Sequence, residues 1–358
     1  MKRILVVGFA TRHVVQSARR AGYEVYAVDH FCDQDLCQDA ARHLKFEELD
    51  EIPDLVSQIC NGHTADWLVT TSGAEDLSVQ IPHAGPSAKC SARFLDKLEI
   101  QRFFEKHGIR TPALAEDGQF PAMVKPRHGA GGWRNRVVRS AEDLRAWEEE
   151  WPDVPAIAQE VVEGVPASVS CVSDGKRAVA LAANEQLLRG GDGDRAYGFS
   201  GSVTPFVHPH AARMMAVAEE AVARSGCVGS VGVDFVVGDD DFWAIEINPR
   251  FQGTLDTVEA SIGESVFQHH LGACTGTLPA ARPVPAQVAA RAILFADRDL
   301  VVKEDLAPLS SCIADIPWPG TEVEEGSAVV SVYGHGPDRA AALAALDRNI
   351  TRVRQYMS

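Results

Sequence analysis

The sequence predicts an α/β (α+β) fold in which a Rossmann-like layer precedes a larger mixed domain, and three features carry that expectation. An apolar run, Ile4-Leu-Val-Val-Gly8, is followed by a helical pattern and a second apolar run. Strand-like and helix-like segments alternate from Phe120 to about Pro283, and the tail closes with short strands and an amphipathic helix. A chain of 358 residues, 46% hydrophobic and 23% charged, is long enough for two or three compact domains with real cores.

The opening unit comprises the strand at 4–8, a helix from about Thr11 with Val14, Val15 and Ala18 on one face, Gly22 as its stop, and a strand from Tyr23 to Val28 ending at Asp29. That is a β-α-β unit, so its sheet is expected to be parallel. Trp67 to Thr71 adds a buried strand followed by the Thr71-Ser-Gly-Ala-Glu75 turn, which completes a layer over residues 1–86. A dinucleotide site there needs G-x-G-x-x-G to bring backbone close to pyrophosphate, but the sequence reads Gly8-Phe-Ala-Thr-Arg-His13. Dinucleotide binding is therefore not expected, and Asp29 reads as a cap or a contact to a small substrate.

Ile81 to Pro86 reads as a linker, and a helix is expected from about Ser91 to His107, stopped by Gly108. The middle domain spans 87–284, with a smaller lid at about 113–165 and an amphipathic helix from about His210 to Ser225 carrying Met214, Met215, Ala218, Ala221 and Val222. In the tail, 285–358, a Pro317-Trp-Pro-Gly320 turn, a strand from Ala328 to Tyr333 and a helix with Leu343, Leu346, Ile350 and Val353 at helical spacing complete the core.

Composition excludes several function classes. A net charge of −16 argues against a nucleic-acid partner, because phosphate binding relies on basic patches. The N-terminal apolar run is too short to span a membrane and lacks a small-residue cleavage site, so no membrane partner and a cytoplasmic location are expected. The eight cysteines form no C-x-x-C pair and read as free thiols. Cys32 and Cys37, with acidic residues between them, are a candidate metal or redox pair, although two ligands on a loop do not make a zinc site.

The strongest constellation runs from Val231 to Arg250 and reads as a β-hairpin. With Asp239 to Asp241 as a three-residue loop, Asp234 lies opposite Glu246, and strand alternation puts Val231, Val233, Phe235, Val237, Trp243, Ile245 and Ile247 on a core face. Asp234, Glu246 and Asn248 share the other face. Two carboxylates and an amide oxygen form a hard, oxygen-only ligand set suited to Mg²⁺ (or Mn²⁺) on ATP phosphates. Arg250, just past Pro249, points to the same place and can stabilise charge on a transferred phosphoryl group. The plain alternative is an exposed acidic hairpin.

A second constellation is Phe120-Pro-Ala-Met-Val-Lys125-Pro126 followed by Gly129-Ala130-Gly131-Gly132. A lysine ending a buried strand needs a partner, and phosphate supplies one while the glycine loop offers backbone N–H groups. Its alternative is an ordinary hairpin turn. A third piece, Ala156 to Gly164, ends an apolar strand in Gln159-Glu160, so that Glu160 and Val162 are candidates to hold the edge of adenine.

On these motifs nearly the whole chain resembles the ATP-grasp superfamily, which implies an ATP-grasp fold behind the Rossmann-like layer. The resemblance implies Lys97, after Asp96, as a first phosphate-contacting lysine and Lys125 as the second. It implies Gly129, Ala130, Gly131 and Gly132 as a flap over the phosphates and Glu160, Val161, Val162 and Glu163 as the adenine and ribose segment. It also implies Asp234, Glu246 and Asn248 as the metal triad. Arg250 is similar to the arginine that follows the triad in the biotin-carboxylase-like branch. The chain departs from the family at Ala167, where an acidic ribose contact is usual, and in its short interval between the two lysines. The opening Val6 to Arg12, Asn184-Glu185-Gln186 and the Tyr197 to Gly201 turn resemble archaeal-type carboxylate-amine ligases such as tyramine-glutamate ligase, and Gly334-His-Gly336 is similar to biotin carboxylase. Asn184 and Gln186, alternating on a strand, either face substrate or lie on a solvated edge.

The implied function is an ATP- and Mg²⁺-dependent ligase joining a small-molecule carboxylate to an amine through an acyl phosphate, with a homodimer as a candidate assembly. Its rivals are a bicarbonate-using carboxylase, a non-catalytic ATP-binding protein, and a nicotinamide dehydrogenase disfavoured by the missing glycines.

Overall fold

The structure, a computed structural model, describes every residue except Met1, His63, Ala130, Asp192 and Ser358. The first layer is a parallel sheet in the order Arg42–Lys45, Glu24–Asp29, Arg3–Gly8, Trp67–Thr70. Its strands alternate between two cores, as a sheet covered on both faces must. Ile4 and Val6 pack with Val14, Val15 and Ala18 of the helix Arg12–Arg20, and Leu5 and Val7 pack with Ile52, Val56 and Ile59 of the helix Ile52–Ile59. Asp29 acts as a cap. Its carboxylate accepts from Thr11 N and Oγ1 at 2.6 and 2.8 Å and from the N–H groups of Phe31 and Cys32.

Two expectations about the next segment need correction. The linker at 81–86 extends the sheet: Leu68 N donates to Pro82 O and Ala84 N to Leu68 O, both at 2.8 Å. The single helix expected from Ser91 to His107 is two, Ala88–Arg93 and Lys97–Lys106, because Asp96 leaves helical geometry to cap the second, accepting from Leu98 N. The break places Lys97 at the first turn of a new helix.

The main body is an eight-stranded sheet in the order Phe242–Asn248, Val228–Val237, Val165–Asp174, Ala178–Leu188, Phe199–Thr204, Val288–Phe295, Ala328–Gly336, Ile313–Ala314. The helix Ala211–Ser225 covers one face, burying Met214, Ala218, Ala221 and Val222 against strand residues such as Val169, Ala180 and Val231. Burying Met214 or Val222 contributes about 1.5–3 kcal/mol each, and each alanine methyl less. The closing helix Arg339–Met357 buries Leu346 and Val353 fully and Leu343 and Ile350 partly against the strand Ala328–Gly336. A small three-stranded sheet, Arg136–Val138, Ala122–Pro126 and Ala156–Glu160, stands apart with the helix Ala141–Glu150, centred on Trp147.

A buried ionic cluster ties the N-terminal layer to the main body. Arg12, 3% exposed in its side chain, pairs with Asp256 and Asp315 at 2.8 Å each and with Asp35 at 3.7 Å, and Arg291 pairs with Asp315 at 3.1 Å. The two guanidinium groups hold the Asp315 carboxyl well below the usual range despite its burial. Next to them Gln34 Nε2 donates to Pro317 O, Trp318 Nε1 donates to Cys32 O, and Asp35 accepts from the N–H groups of Asp315 and Ile316. Cys37, whose thiol donates to Cys32 O, sits in this packed corner, and all eight cysteines are free.

Arg12→Met leaves three carboxylates short of their cation, so it should lower stability by about 3–5 kcal/mol. The check is the urea midpoint of the full chain, with a slope matching the parent.

Candidate active site

The hairpin Val228–Val237 and Phe242–Asn248 holds the acidic group at one edge of the main sheet, with Asp234 paired to Glu246 and Gly232 to Asn248. Two irregularities produce that register. The loop is one residue longer than expected, since Val237 pairs with Phe242 and Gly238 N donates to Asp241 O, and a bulge at Ile245 takes up the difference. Beyond the bulge the alternation reverses. Phe242 and Ala244 fill the core in place of the expected Trp243 and Ile245; Trp243 lies outside under the guanidinium of Arg110, and Ile245 faces the pocket.

Asp234 accepts from Asn248 Nδ2 at 2.8 Å and from Gln186 Nε2 at 3.0 Å. Burial, and then the neighbouring Glu246 carboxylate, push its carboxyl up to about 7. The nearest ion-pair partner of this acidic pair is Lys97, whose Nζ lies 3.7 Å from Glu246 Oε1. Two carboxylates and an amide oxygen forced together in this way fit a divalent cation, whose charge would return Asp234 to its ionised form.

The lysines reach the same pocket from different elements. Lys97 Nζ donates to Gly129 O at 2.8 Å, so it spans the glycine loop and the hairpin. Lys125, buried at the end of its strand, donates to Gln159 Oε1 at 2.7 Å. Gln159 donates onward to Gln101 Oε1 at 2.6 Å, and Gln101 donates to Pro112 O. This chain of neutral amides joins the Lys97 helix to the Lys125 strand. With a neutral acceptor and, among the described residues, no carboxylate bonded to it, Lys125 has its pKa lowered by burial to about 8.

The glycine loop folds towards the pocket. Gly131 and Gly132 line it, and Gly132, at φ +69°, lies so near Tyr197 that a Cβ would stand 2.2 Å from its carbonyl oxygen. Ala130 lies outside the described residues. Glu160 and Val162 also line the pocket, Glu160 accepting from Ala113 N at 3.0 Å. Val161 is half-buried beside them, and Glu163 is exposed and not part of the wall. Ala167 is fully buried on its strand. Gln186 faces the site, whereas Asn184 is enclosed and bonded to Ser168, Ser170 and Thr204.

Met123, Leu188 and Phe199, to which the sequence assigns no part in the site, and Ile245, expected in the core, supply apolar wall. Met123 was accessible from its place two residues before Lys125 on one strand face; Ile245 was hidden by the bulge. Arg250 Nη2 donates to Asn248 Oδ1 at 3.1 Å, while its Nε donates to Glu75 Oε1, also at 3.1 Å, from the Thr71–Glu75 turn of the N-terminal layer. The whole cavity measures about 460 Å³ and runs from Pro112 to Thr254.

The sequence model described as an ATP-grasp domain matches residues 94–254, which hold both lysines, the glycine loop, the acidic hairpin and Arg250. These residues are an ATP-grasp domain, and the chain has the ATP-grasp fold. An uncharacterized protein of Methanocaldococcus jannaschii is 24% identical over 92% of this chain and 87% of its own length. D-alanine--D-alanine ligase of Bordetella pertussis is 28% identical over 50% of this chain, which spans 63% of that enzyme. Among solved structures, biotin carboxylase from Campylobacter jejuni in a complex with beta-gamma-ATP superposes with a TM-score of 0.79 at 16% identity, over 97% of this chain and 91% of that one.

The lowered pKa of Lys125 gives a pH signature. The ammonium form, which attracts phosphate, is present below about pH 8 and lost above it. Affinity for a nucleoside triphosphate should therefore fall as pH rises from about 7 to about 9. In Lys125→Met it should be weaker throughout and flat in this window, as measured by calorimetry.

Proposed function

We propose that this protein is an ATP-dependent carboxylate-amine ligase that works through an acyl phosphate. The observation that carries the reading is the convergence of Asp234, Glu246, Asn248, Lys97, Lys125 and Arg250 on one pocket beside an apolar slot. Met123, Val162 and Ile245 suit the faces of adenine, with the backbone of Glu160 to Val162 at its edge. Lys97, Lys125 and the N–H groups of Gly131 and Gly132 suit the phosphates. Mg²⁺ or Mn²⁺ held by Asp234, Glu246 and Asn248 would neutralise polyphosphate charge.

The chain's own residues then have defined work. A carboxylate held by Arg250 places one oxygen in line with the γ-phosphorus; that O–P bond forms as the bond to ADP breaks, and the lysines hold the charge on the departing diphosphate. The amine attacks the acyl carbon, phosphate leaves, and the glycine loop against Tyr197 keeps water out in the interval. The pocket continues past Arg250 to Phe199 and Thr254, which gives room for a carboxylate larger than bicarbonate. A carboxylase that phosphorylates bicarbonate is the second reading, favoured by the fit to biotin carboxylase across 97% of the chain.

Hydroxylamine separates the two. A ligase should convert its acyl phosphate to a hydroxamate with one ADP per product, in a screen of organic carboxylates. ADP release that needs bicarbonate, with no hydroxamate from any carboxylate, would overturn the ligase reading and leave the nucleotide site standing. Glu246→Gln removes charge from the acidic pair without changing shape, so it should abolish turnover with an unchanged melting temperature. Undiminished metal-dependent ADP formation in that variant would sink the metal assignment.

A further inference from the structure

The two lysines of the candidate active site stand on different bodies of the fold. Lys97 opens the helix Lys97–Lys106, whose Ile100, Phe103 and Phe104 pack into the main core with Val231 and Val233. Lys125 lies near the end of a strand of the small three-stranded sheet, whose Ala122, Val124, Val138 and Trp147 form a separate core. With two separate cores, the spacing of the lysines depends on whatever joins the bodies.

Polar links cross that junction. Gln159 Nε2 donates to Gln101 Oε1 at 2.6 Å, a contact between neutral amides that constrains one distance. Another link is made by Arg127, which stands between Lys125 and Gly129 in the chain. Its Nε donates to Asp96 Oδ1 at 3.1 Å and its Nη2 to Asp96 Oδ2, so one planar fork engages both carboxylate oxygens. A fork fixes a plane as well as a distance, which a point charge cannot do. The backbone adds to the grip: Lys97 N donates to Arg127 O at 2.9 Å, and Arg127 N donates to Pro155 O at 2.8 Å, just before the strand Ala156–Glu160. Asp96 Oδ1 also accepts from Leu98 N, so the residue that starts the Lys97 helix is the one that holds the end of the Lys125 strand. The Asp96 side chain is 12% exposed, and the Arg127 guanidinium holds its carboxyl below the usual range. His128 Nε2 stands 4.0 Å from the same carboxylate and is mostly exposed, which leaves the fork as the main partner.

From this geometry we infer that Asp96 and Arg127 are a positioning pair, whose fork sets the spacing and angle between Lys97 and Lys125 and so fits the site to a polyphosphate. The pair acts through its neighbours: Asp96 through Lys97, and Arg127 through Lys125 and the glycine loop. Lys97 Nζ donates to Gly129 O at 2.8 Å and lies 3.7 Å from Glu246 Oε1, and it can span loop and hairpin only while Arg127 keeps the root of the loop against the helix. The role rests on the nucleotide site of the ligase reading and not on its acyl chemistry, since the lysines meet phosphate in either reaction proposed above. It bears on one half of the nucleotide. The proposed adenine slot of Met123, Val162 and Ile245 is apolar, and apolar contacts are non-directional, so a small shift between the bodies costs little there. Hydrogen bonds to phosphate depend on distance and angle, and the same shift weakens them.

The test compares ATP with adenosine on the full chain by calorimetry, well below the melting temperature of each variant. Asp96→Asn keeps a capping oxygen for Leu98 N and removes the charge from the fork, and Arg127→Met removes the fork outright. Each should weaken ATP about tenfold, as expected when a charge-assisted hydrogen bond to phosphate loses its geometry, and change adenosine by less than about twofold. Arg127→Lys, which keeps the charge without the fork, should stay close to Arg127→Met. Asp96→Asn combined with Arg127→Met should weaken ATP by about the same tenfold and not by a hundredfold, because one fork is lost only once. This double variant decides on ATP alone, so the outcome does not depend on adenosine binding strongly. Equal losses for ATP and adenosine, multiplied losses in the double variant, or unchanged ATP affinity would each overturn the role. ATP affinity that falls in Arg127→Met but holds in Asp96→Asn would show Arg127 meeting phosphate itself, and would overturn it too. A parent chain that binds neither compound counts against the nucleotide reading and this role together, whereas a parent that binds ATP, with variants that bind it equally well, counts against this role alone.

Discussion

Burying Arg12 and Arg291 among Asp35, Asp256 and Asp315 is the constraint on which the arrangement of this molecule depends. Charges taken out of water are tolerated only when their partners are fixed in place, so each residue of the cluster demands the others. Arg12 and Asp315 are 303 residues apart in the chain and 2.8 Å apart in space. Their pairing joins the first helix of the N-terminal layer to the turn that follows the strand Ile313–Ala314, and Asp256 brings in the helix after the acidic hairpin. The wall of the candidate active-site pocket beyond Arg250 lies beside this junction, because Gly253, which accepts from Arg291, belongs to both.

At the other end of the pocket the polar groups are held by neutral partners. Lys125 ends its strand on Gln159, and Gln159 ends on Gln101 of the helix that starts at Lys97. An amide accepts from a lysine without neutralising it, so the site keeps a cation whose pKa is already lowered by burial. The acidic pair behaves in the opposite sense, with Asp234 raised by burial and by Glu246. Burial is the first cause of both shifts, and phosphate beside the lysine together with a divalent cation beside the carboxylates would relieve them.

What the sequence disclosed follows the range of the interactions involved. The first β-α-β unit, the pairing of Asp234 with Glu246 and the strand ending at Lys125 rest on local periodicity, which the chain displays openly. Ile245 was placed in the core because a bulge leaves no mark in an alternating pattern, and the longer loop and the bulge offset one another so that the carboxylates still met. The helix break at Asp96 had a readable signal, an aspartate followed three residues later by Glu99, as helix starts often are. The fork of Arg127 on Asp96 had none, since the two residues are 31 apart in the chain and no periodicity links them.

The contact between Arg250 and Glu75 gives the guanidinium an internal tenant. Glu75 arrives from the N-terminal turn and occupies the nitrogen Nε that an incoming anion would otherwise find free. Any carboxylate that docks there has to share or evict a carboxylate already in residence, which makes arrival an exchange of like for like. Such an exchange changes the net charge of the pocket by less than a fresh ion pair does. A neutral molecule has no charge to exchange for that of Glu75, so the contact itself favours a charged visitor.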